Sequence, residues 1–193
     1  MDVTRQSLLL RAQGGAEEAW KDLTDLYRPL ILGWLRRHGV PGNDLDDLSQ
    51  DILLTVVKYL PSFSHTGNRG AFRAWLRTIV CHRTSDYWRS RDPDTLAVGG
   101  SSVTEALQQL QDPSSDLNRH WDEEHDRYVL RRLMELIEPM FEPNTLAAFR
   151  RVAYHGVAPA QAAEELGLSL NAVLLAKSRV LSRLRQEAEG LID

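Results

Sequence analysis

The chain has 193 residues, room for one domain or two small ones, and 42% of them are hydrophobic, enough to build a core. Its formal net charge is −4, the wrong sign for a protein that coats nucleic acid by bulk attraction, so affinity for DNA would have to come from local patches or a second protein. No apolar run is long enough to span a membrane, Leu8-Leu9-Leu10 is flanked by charge and reads as no secretory signal, and the lone Cys81 excludes an internal disulfide and fits a reducing cytoplasm.

The first strong pattern covers residues 16–38, where Trp20, Leu23, Leu26, Tyr27, Leu30, Ile31 and Trp34 recur at three and four residues and predict an amphipathic helix. Gly39, Pro41 and Gly42 end it, and Asn43 or Asp44 is placed to cap the next helix. That helix, residues 44–60, sets Leu45, Leu48, Ile52, Val56 and Leu60 on a core face and Asp47, Gln50 and Asp51 on another, with Lys58 further along; Pro61 stops it. A third helix, 69 to about 90, turns Phe72, Leu76, Ile79 and Val80 inward, keeps Trp75 in the apolar register and puts most of its arginines outside. β-branched alternation is absent, so the expected fold class is all-α.

Charge is segregated along the chain. Between Arg69 and Arg91 six arginines face one acid, a local charge of +5, whereas between Asp92 and Arg127 nine acids face two arginines, a local −7. The acidic stretch opens with Pro93, Gly99, Gly100, Ser101 and Ser102 and later carries Pro113-Ser114-Ser115, the composition of a linker. The expected organisation is therefore two small helical domains, an N-terminal bundle at 1–91 and a C-terminal helix-turn-helix domain at 121–193, joined by a flexible acidic connector at 92–120. No internal repeat is visible.

Near the C-terminus the sequence GVAPAQAAEELGLSLNAVLLAKSRVLSRL divides into a short alanine-rich helix at 159–165, a turn at 166–169 and a longer helix from Leu170. Gly167 supplies the positive φ a sharp helix stop needs, and Ser169 can cap the longer helix. Leu170, Val173, Leu174, Leu181 and Leu184 fall at one-face spacing, with Ser178, Arg179, Ser182 and Arg183 elsewhere. Two short helices around a glycine turn describe a helix-turn-helix whose second helix can enter a major groove. An ordinary helical hairpin has the same local pattern, so this motif alone does not decide.

The order of parts is more specific. AWKDLTDLYRPLILGWL, DLDDLSQDILLTVVKYLPSF and GAFRAWLRTIVCHRTSDYWRSR, followed by a connector and a helix-turn-helix, resemble a bacterial RNA polymerase sigma factor of the sigma-70 family, extracytoplasmic-function (ECF) type. The resemblance covers roughly residues 5–91 and 128–187. It implies a non-enzymatic, cytoplasmic initiation factor without cofactor, metal or membrane insertion. Such a factor binds core polymerase, directs it to promoters through their −35 and −10 elements and promotes strand opening. Its partners would be the polymerase clamp coiled coil and flap, and promoter DNA both double-stranded and melted; an anti-sigma protein is left open.

Carried onto this sequence, the resemblance makes Asp47, Gln50 and Asp51 the clamp-docking residues, and their i, i+3, i+4 spacing lets them meet a partner's arginines together. It makes Arg77, His82, Arg83, Tyr87, Trp88, Arg89 and Arg91 the −10 residues, cations to track phosphate and aromatics to stack unpaired bases. Residues 62–70 would help hold an extruded base. Asn171, Ser178, Arg179, Ser182 and Arg183 become the −35 residues, with Arg150 and Arg151, on a preceding helix that Asn144 could cap, as backbone contacts. Two departures stand out. His82 replaces the usual Asn, which changes the donor–acceptor set. Leu174-Leu175-Ala176 stands where relatives place a cation and Ser; packing on neighbouring helices or a flap is the expected use of these leucines, thymine methyls the alternative.

Rival classes have less to rest on. A plain helix-turn-helix repressor leaves the Asp-Leu-Ser-Gln-Asp helix and the aromatic–arginine helix unexplained. A metal site would have to use His120 and His125, which at a spacing of five do not stack on one helix face. No phosphate-binding loop, nucleophile elbow or zinc-protease motif is present. The acidic connector, lying between two basic elements, is expected to fold back over them in the free chain, with a solvated spacer as the alternative.

Overall fold

The computed structural model describes residues 7–64, 70–91 and 102–192, the side chains of 102 and 103 apart. Arg69, most of the 62–70 loop, and Asp92 and Asp94 lie outside the described residues. Nine α-helices occur among the described residues: α1 (Leu8–Gln13), α2 (Glu17–Arg37), α3 (Gly42–Tyr59), α4 (Ala71–Arg91), α5 (Ser102–Gln111), α6 (Asp116–Ile137), α7 (Pro143–Ala153), α8 (Pro159–Leu166) and α9 (Leu170–Ala188). None of the described residues is in a strand, and the chain is all-α.

Local chemistry accounts for most boundaries. Ser7 caps α1 by accepting from the Leu10 amide at 3.3 Å. Glu17 and Glu18 open α2 and Arg36 and Arg37 close it, each sign matching the helix dipole. α3 starts two residues before the expected Asp44, from Pro41 as N-cap and with no side-chain cap. Asp44 is engaged elsewhere, accepting from Tyr87 Oη at 2.8 Å and Arg91 at 2.9 Å. Asn144 does not cap α7 either, because Pro143 takes the first position and Glu142 the N-cap. Gly167 closes α8 at φ 63°, and Ser169 caps α9 through the Ala172 amide at 3.1 Å, both as expected.

Two departures from the sequence reading matter for function. The segment expected as a flexible connector is helical over Ser102–Gln111 and again from Asp116, and α6 runs straight through the expected boundary at residues 120 and 121. The reason is an apolar stripe among the acids. Leu107 and Leu110 of α5, then Trp121, Val129 and Leu133 of α6, are buried in the same continuous core as α1–α4. On α9, the core face is Val173, Ala176, Val180 and Leu184, while Leu170 and Leu174, expected inward, are exposed. The turn at Ser169 fixes the helix phase, and only one side can face α7 and α8. That contact has its own small core of Ala148, Ala162, Ala163, Val173 and Ala176, whose short side chains let three helices approach closely.

The helices close a circuit, with α1 touching α9. The contact is ionic and buried. Arg11 Nη1 donates to both oxygens of Glu187 at 3.1 and 2.9 Å, and Arg183 approaches the same carboxylate at 2.5 Å. Glu187 is fully buried, so it is tolerated as a charge only because two guanidinium groups meet it. Replacing Arg11 by Met is expected to cost about 1–3 kcal/mol, less than orphaning a buried carboxylate completely because Arg183 stays. Arg11→Met with Glu187→Met should recover much of that loss. Urea denaturation of the three chains checks both statements.

Candidate functional site

The candidate surfaces start on α3. Its buried residues Leu45, Leu48, Ile52 and Val56 leave Asp47, Gln50 and Asp51 together on the solvent side, all exposed. Leu54, 59% exposed, and Val57 continue that side toward the end of the helix. Sequence reasoning passed over these two. The signal was present in the doublets Leu53-Leu54 and Val56-Val57, since adjacent helical positions point about 100° apart and only one of each can face the core. Asp51 lies 3.4 Å from Arg83 Nε, which also donates to Thr55 Oγ1 at 3.0 Å. The face is thus acidic and apolar, and its far end is tied to α4.

On α4 the expected DNA-facing residues divide. His82 is exposed in a shallow cleft shared with Thr55, Tyr59, Trp75, Ile79, Arg83 and Asp86. Arg89 is exposed and pairs with Asp86 at 3.1 Å. Tyr87 and Trp88 meet edge to face at 5.2 Å, and the Arg91 guanidinium lies 5.2 Å from the Tyr87 ring centre. The Trp88 indole N–H is buried with no acceptor among the described residues. Arg77, expected outside, is instead buried at 9% exposure, its Nη1 donating to Asp122 Oδ1 at 2.6 Å.

Asp122 belongs to α6, and it is one of two acids that α6 lays on this basic helix. Arg73 reaches Asp122 at 3.0 Å and Asp126 at 2.5 Å. Gly70 makes room for it: at φ +72° it turns the chain into α4, and a Cβ there would come within 2.6 Å of the Arg73 guanidinium. From α2, Arg37 grips Glu124 with two bonds of 2.6 and 2.7 Å. Glu124 is held below the usual carboxylate range by these bonds, and Arg37 is raised by them.

Beneath the acids runs a buried polar chain. Tyr27 Oη lies 3.1 Å from His125 Nε2, and His125 Nδ1 lies 2.9 Å from Asp126 Oδ1. Burial pushes His125 below its ordinary 6.5 despite Asp126, and pushes the Tyr27 hydroxyl well up. For Asp126 burial acts upward, but hydrogen bonds from His125 and Arg73 outweigh it and hold the carboxyl low. Trp34 packs edge-on to Trp121 beside this chain. Cys81, on the buried side of α4, is pushed up to about 12 by burial and is an inert core thiol. Among the described residues no group of three or more metal-ligating side chains converges. His125 faces Tyr27, whereas His120 lies 3.4 Å from Glu124.

At the other end of the molecule, α9 turns Asn171, Ser178, Arg179 and Ser182 to solvent. Ser178, Arg179, Ser182 and Arg183 border an open cleft with Met140, Phe141 and Gln186. Arg183 is only partly available, because it is drawn onto Glu187. Arg150 and Arg151 are likewise engaged, with Glu138 at 2.5 Å and with Glu165. No helix among the described residues is long and apolar enough to cross a membrane.

Residues 23–93, most of α2 with α3 and α4, match the family model described as Sigma-70 region 2. The chain is similar to ECF RNA polymerase sigma factor ShbA of Streptomyces griseus subsp. griseus, 29% identical over 190 residues that cover 95% of this chain and 94% of the relative. RNA polymerase sigma factor NccH of Alcaligenes xylosoxydans xylosoxydans is 25% identical over 188 residues, covering 97% and 94%. ECF RNA polymerase sigma factor SigD of Mycobacterium tuberculosis is 23% identical over 192 residues, covering 94% and 82%. Residues 23–93 thus carry a Sigma-70 region 2 domain built around the acidic side of α3 and the arginine-rich α4. Over nearly its whole length the chain is similar to RNA polymerase sigma factors of the ECF type.

The buried chain sets a pH dependence. The closed arrangement holds His125 neutral and Asp126 and Glu124 ionised, so all three fold with lowered pKa. Their stabilisation is complete above the ordinary His value of 6.5 and is lost as pH falls, first through His125 and then through the carboxylates. Tm is expected to fall between about pH 7.5 and about pH 5.5, by about 2–4 °C for each kcal/mol lost in a chain of this size. His125→Gln should flatten that slope, as differential scanning calorimetry would register.

Proposed function

We propose that this chain docks on core RNA polymerase through α3 and carries promoter recognition in two parts, α4 at the −10 element and α9 at the −35 element. Asp47, Gln50 and Asp51, extended by Leu54 and Val57, form the docking face and meet arginines and apolar groups of the clamp coiled coil. His82, Arg83, Tyr87, Trp88, Arg89 and Arg91, joined by Arg77 on release, track and stack the opened strand. Asn171, Ser178, Arg179, Ser182 and Arg183 read the upstream duplex, and the nearby cleft at Met140 and Phe141 suits the flap. The chain contributes binding and strand opening rather than bond chemistry, and it acts in the cytoplasm where polymerase and chromosome are.

The observation that carries this reading is the pairing pattern of the free chain. The face assigned to polymerase is open, whereas Arg77 of the face assigned to DNA, together with Arg73 one turn before it, is covered by Asp122 and Asp126 of α6. A factor with this arrangement meets polymerase first and DNA second, as its net charge of −4 favours. In this reading residues 1–91 and the C-terminal helix-turn-helix act as separate modules on the polymerase, and α5 with the first half of α6, Asp122 and Asp126 included, leaves the basic helix for positively charged channels. A plain repressor would need its DNA face exposed without a partner.

Run-off transcription with core polymerase tests the assignment. The intact chain is expected to direct specific starts. Asp47→Arg should abolish them by weakening core binding by about 2–5 kcal/mol, with unchanged helix content because Asp47 is solvent-facing. Arg179→Ala should spare core binding and weaken upstream footprints, whereas Arg89→Ala should spare footprints and reduce permanganate reactivity of unpaired thymines. Equal core affinity of Asp47→Arg and the parent would remove the docking assignment.

The covering acids are tested without polymerase. With Asp122→Asn and Asp126→Asn together, Arg73 and Arg77 lose their carboxylates, so non-specific duplex binding at low salt should rise about tenfold, with a steeper salt dependence. A mobility-shift titration at two salt concentrations measures it. Unchanged binding would mean that these acids only stabilise the fold.

A further inference from the structure

Helix α9 carries an apolar surface that its packing does not use. Leu170, Leu174 and Leu175 are 48%, 47% and 45% exposed, while Val173, Ala176 and Val180 beside them are buried. Single exposed leucines are ordinary. Three on the outer side of the first two turns of one helix, interleaved with the exposed Asn171 and followed by the exposed Ser178 and Arg179, are a patterned surface. The helix start is held in place by the Gly167 turn and the Ser169 cap, so the leucines are presented at a rigid helix N-terminus.

We propose that Leu174 and Leu175 determine promoter specificity by packing on thymine methyl groups, with Asn171 pairing to a neighbouring adenine. This rests on the reading of α9 as the helix that enters the upstream major groove. The chemistry of that groove selects the occupant. The C5-methyl of thymine is the apolar group that base edges present there, and adenine offers the N7 acceptor and N6 donor that an amide side chain meets with two bonds. Dimensions agree. From Leu170 to Leu175 the helix rises about 7.5 Å at 1.5 Å per residue, a little over two base steps of about 3.4 Å. The N-terminal residues of a recognition helix are also the ones that reach base edges.

Charge points the same way. Arg183 is drawn onto the buried Glu187, which leaves Arg179 as the exposed guanidinium in the middle of this face. One such cation suits a phosphate or a single guanine, and base discrimination along the first two turns then falls to methyl burial and the Asn171 amide.

The test uses holoenzyme assembled from core polymerase and the full chain. Upstream elements are first selected from a randomised library, and each selected thymine is then replaced by uracil, which removes the methyl and nothing else. Competition binding is expected to show one or two positions where uracil weakens binding about fourfold, the scale of burying one methylene-sized group. Leu174→Ala or Leu175→Ala should erase the uracil penalty at one position each. Arg179→Ala should weaken binding but keep the penalty. Both leucines are exposed, so these variants should fold. An upstream preference that Asn171→Ala or Arg179→Ala reduces, with no uracil penalty anywhere, overturns the proposal and leaves the recognition-helix reading intact. No upstream preference at all overturns that reading and the proposal with it. Weaker core-polymerase binding by Leu174→Ala at unchanged base preference would make this a protein-docking face and overturn the proposal as well.

Discussion

The arrangement of the whole chain depends on how α4 disposes of its charge. A helix that carries Arg73 and Arg77 toward the molecular interior has to find anions for them, and α6 supplies Asp122 and Asp126. The same two turns of α6 bring His125 to Tyr27 and Trp121 to Trp34, so the ionic and apolar contacts form together. A buried ion pair is close to neutral in net stability against an apolar replacement, yet costly to break on one side only. Its contribution here is selectivity of position. The helix settles where the buried Arg77 and the half-buried Arg73 each have a carboxylate.

That balance reconciles two properties that otherwise conflict. A DNA-binding protein needs local cations, and a free chain with exposed cations binds nucleic acid indiscriminately. With Asp122 and Asp126 in place, Arg73 and Arg77 in the first half of the basic helix are neutralised internally, while the acidic and apolar side of α3 remains open to a partner. Polar contacts also suit reversibility, since they can be exchanged for similar contacts on another charged surface. The apolar residues of α5 and α6 set the resistance to that exchange, because Leu107, Leu110 and Trp121 are buried against the N-terminal helices.

The C-terminal unit is built differently. Its alanine core is small, and its helices are held by shape, a glycine turn and a serine cap rather than by large side chains. Close packing at one face leaves the other free of structural duty. The outward leucines of α9 are therefore available for contact with a partner molecule, and the buried Arg11–Glu187–Arg183 cluster at the far end of that helix anchors it to α1.

Periodicity determined the helices, because the side of a helix facing a core must be apolar whatever that core contains. The stripes of α2, α3 and α4, the Gly167 turn and the Ser169 cap were readable for that reason, and the order of the motifs carried the family. The acidic face of α3 was readable too, since Asp47, Gln50 and Asp51 need only their own helix to come together. Features that depend on a second element were not. Linker composition at 92–120 concealed two packed helices, as proline, glycine and serine between apolar positions say nothing about what those positions will meet. The burial of Arg77, the Tyr27–His125 bond and the Arg11–Glu187 contact join residues 45, 98 and 176 positions apart. Nor could spacing decide which leucines of α9 face inward, because Leu170 and Leu174 fit an apolar stripe as well as Val173 does. Only the direction from which α7 and α8 approach made that choice, and it left the leucines outside.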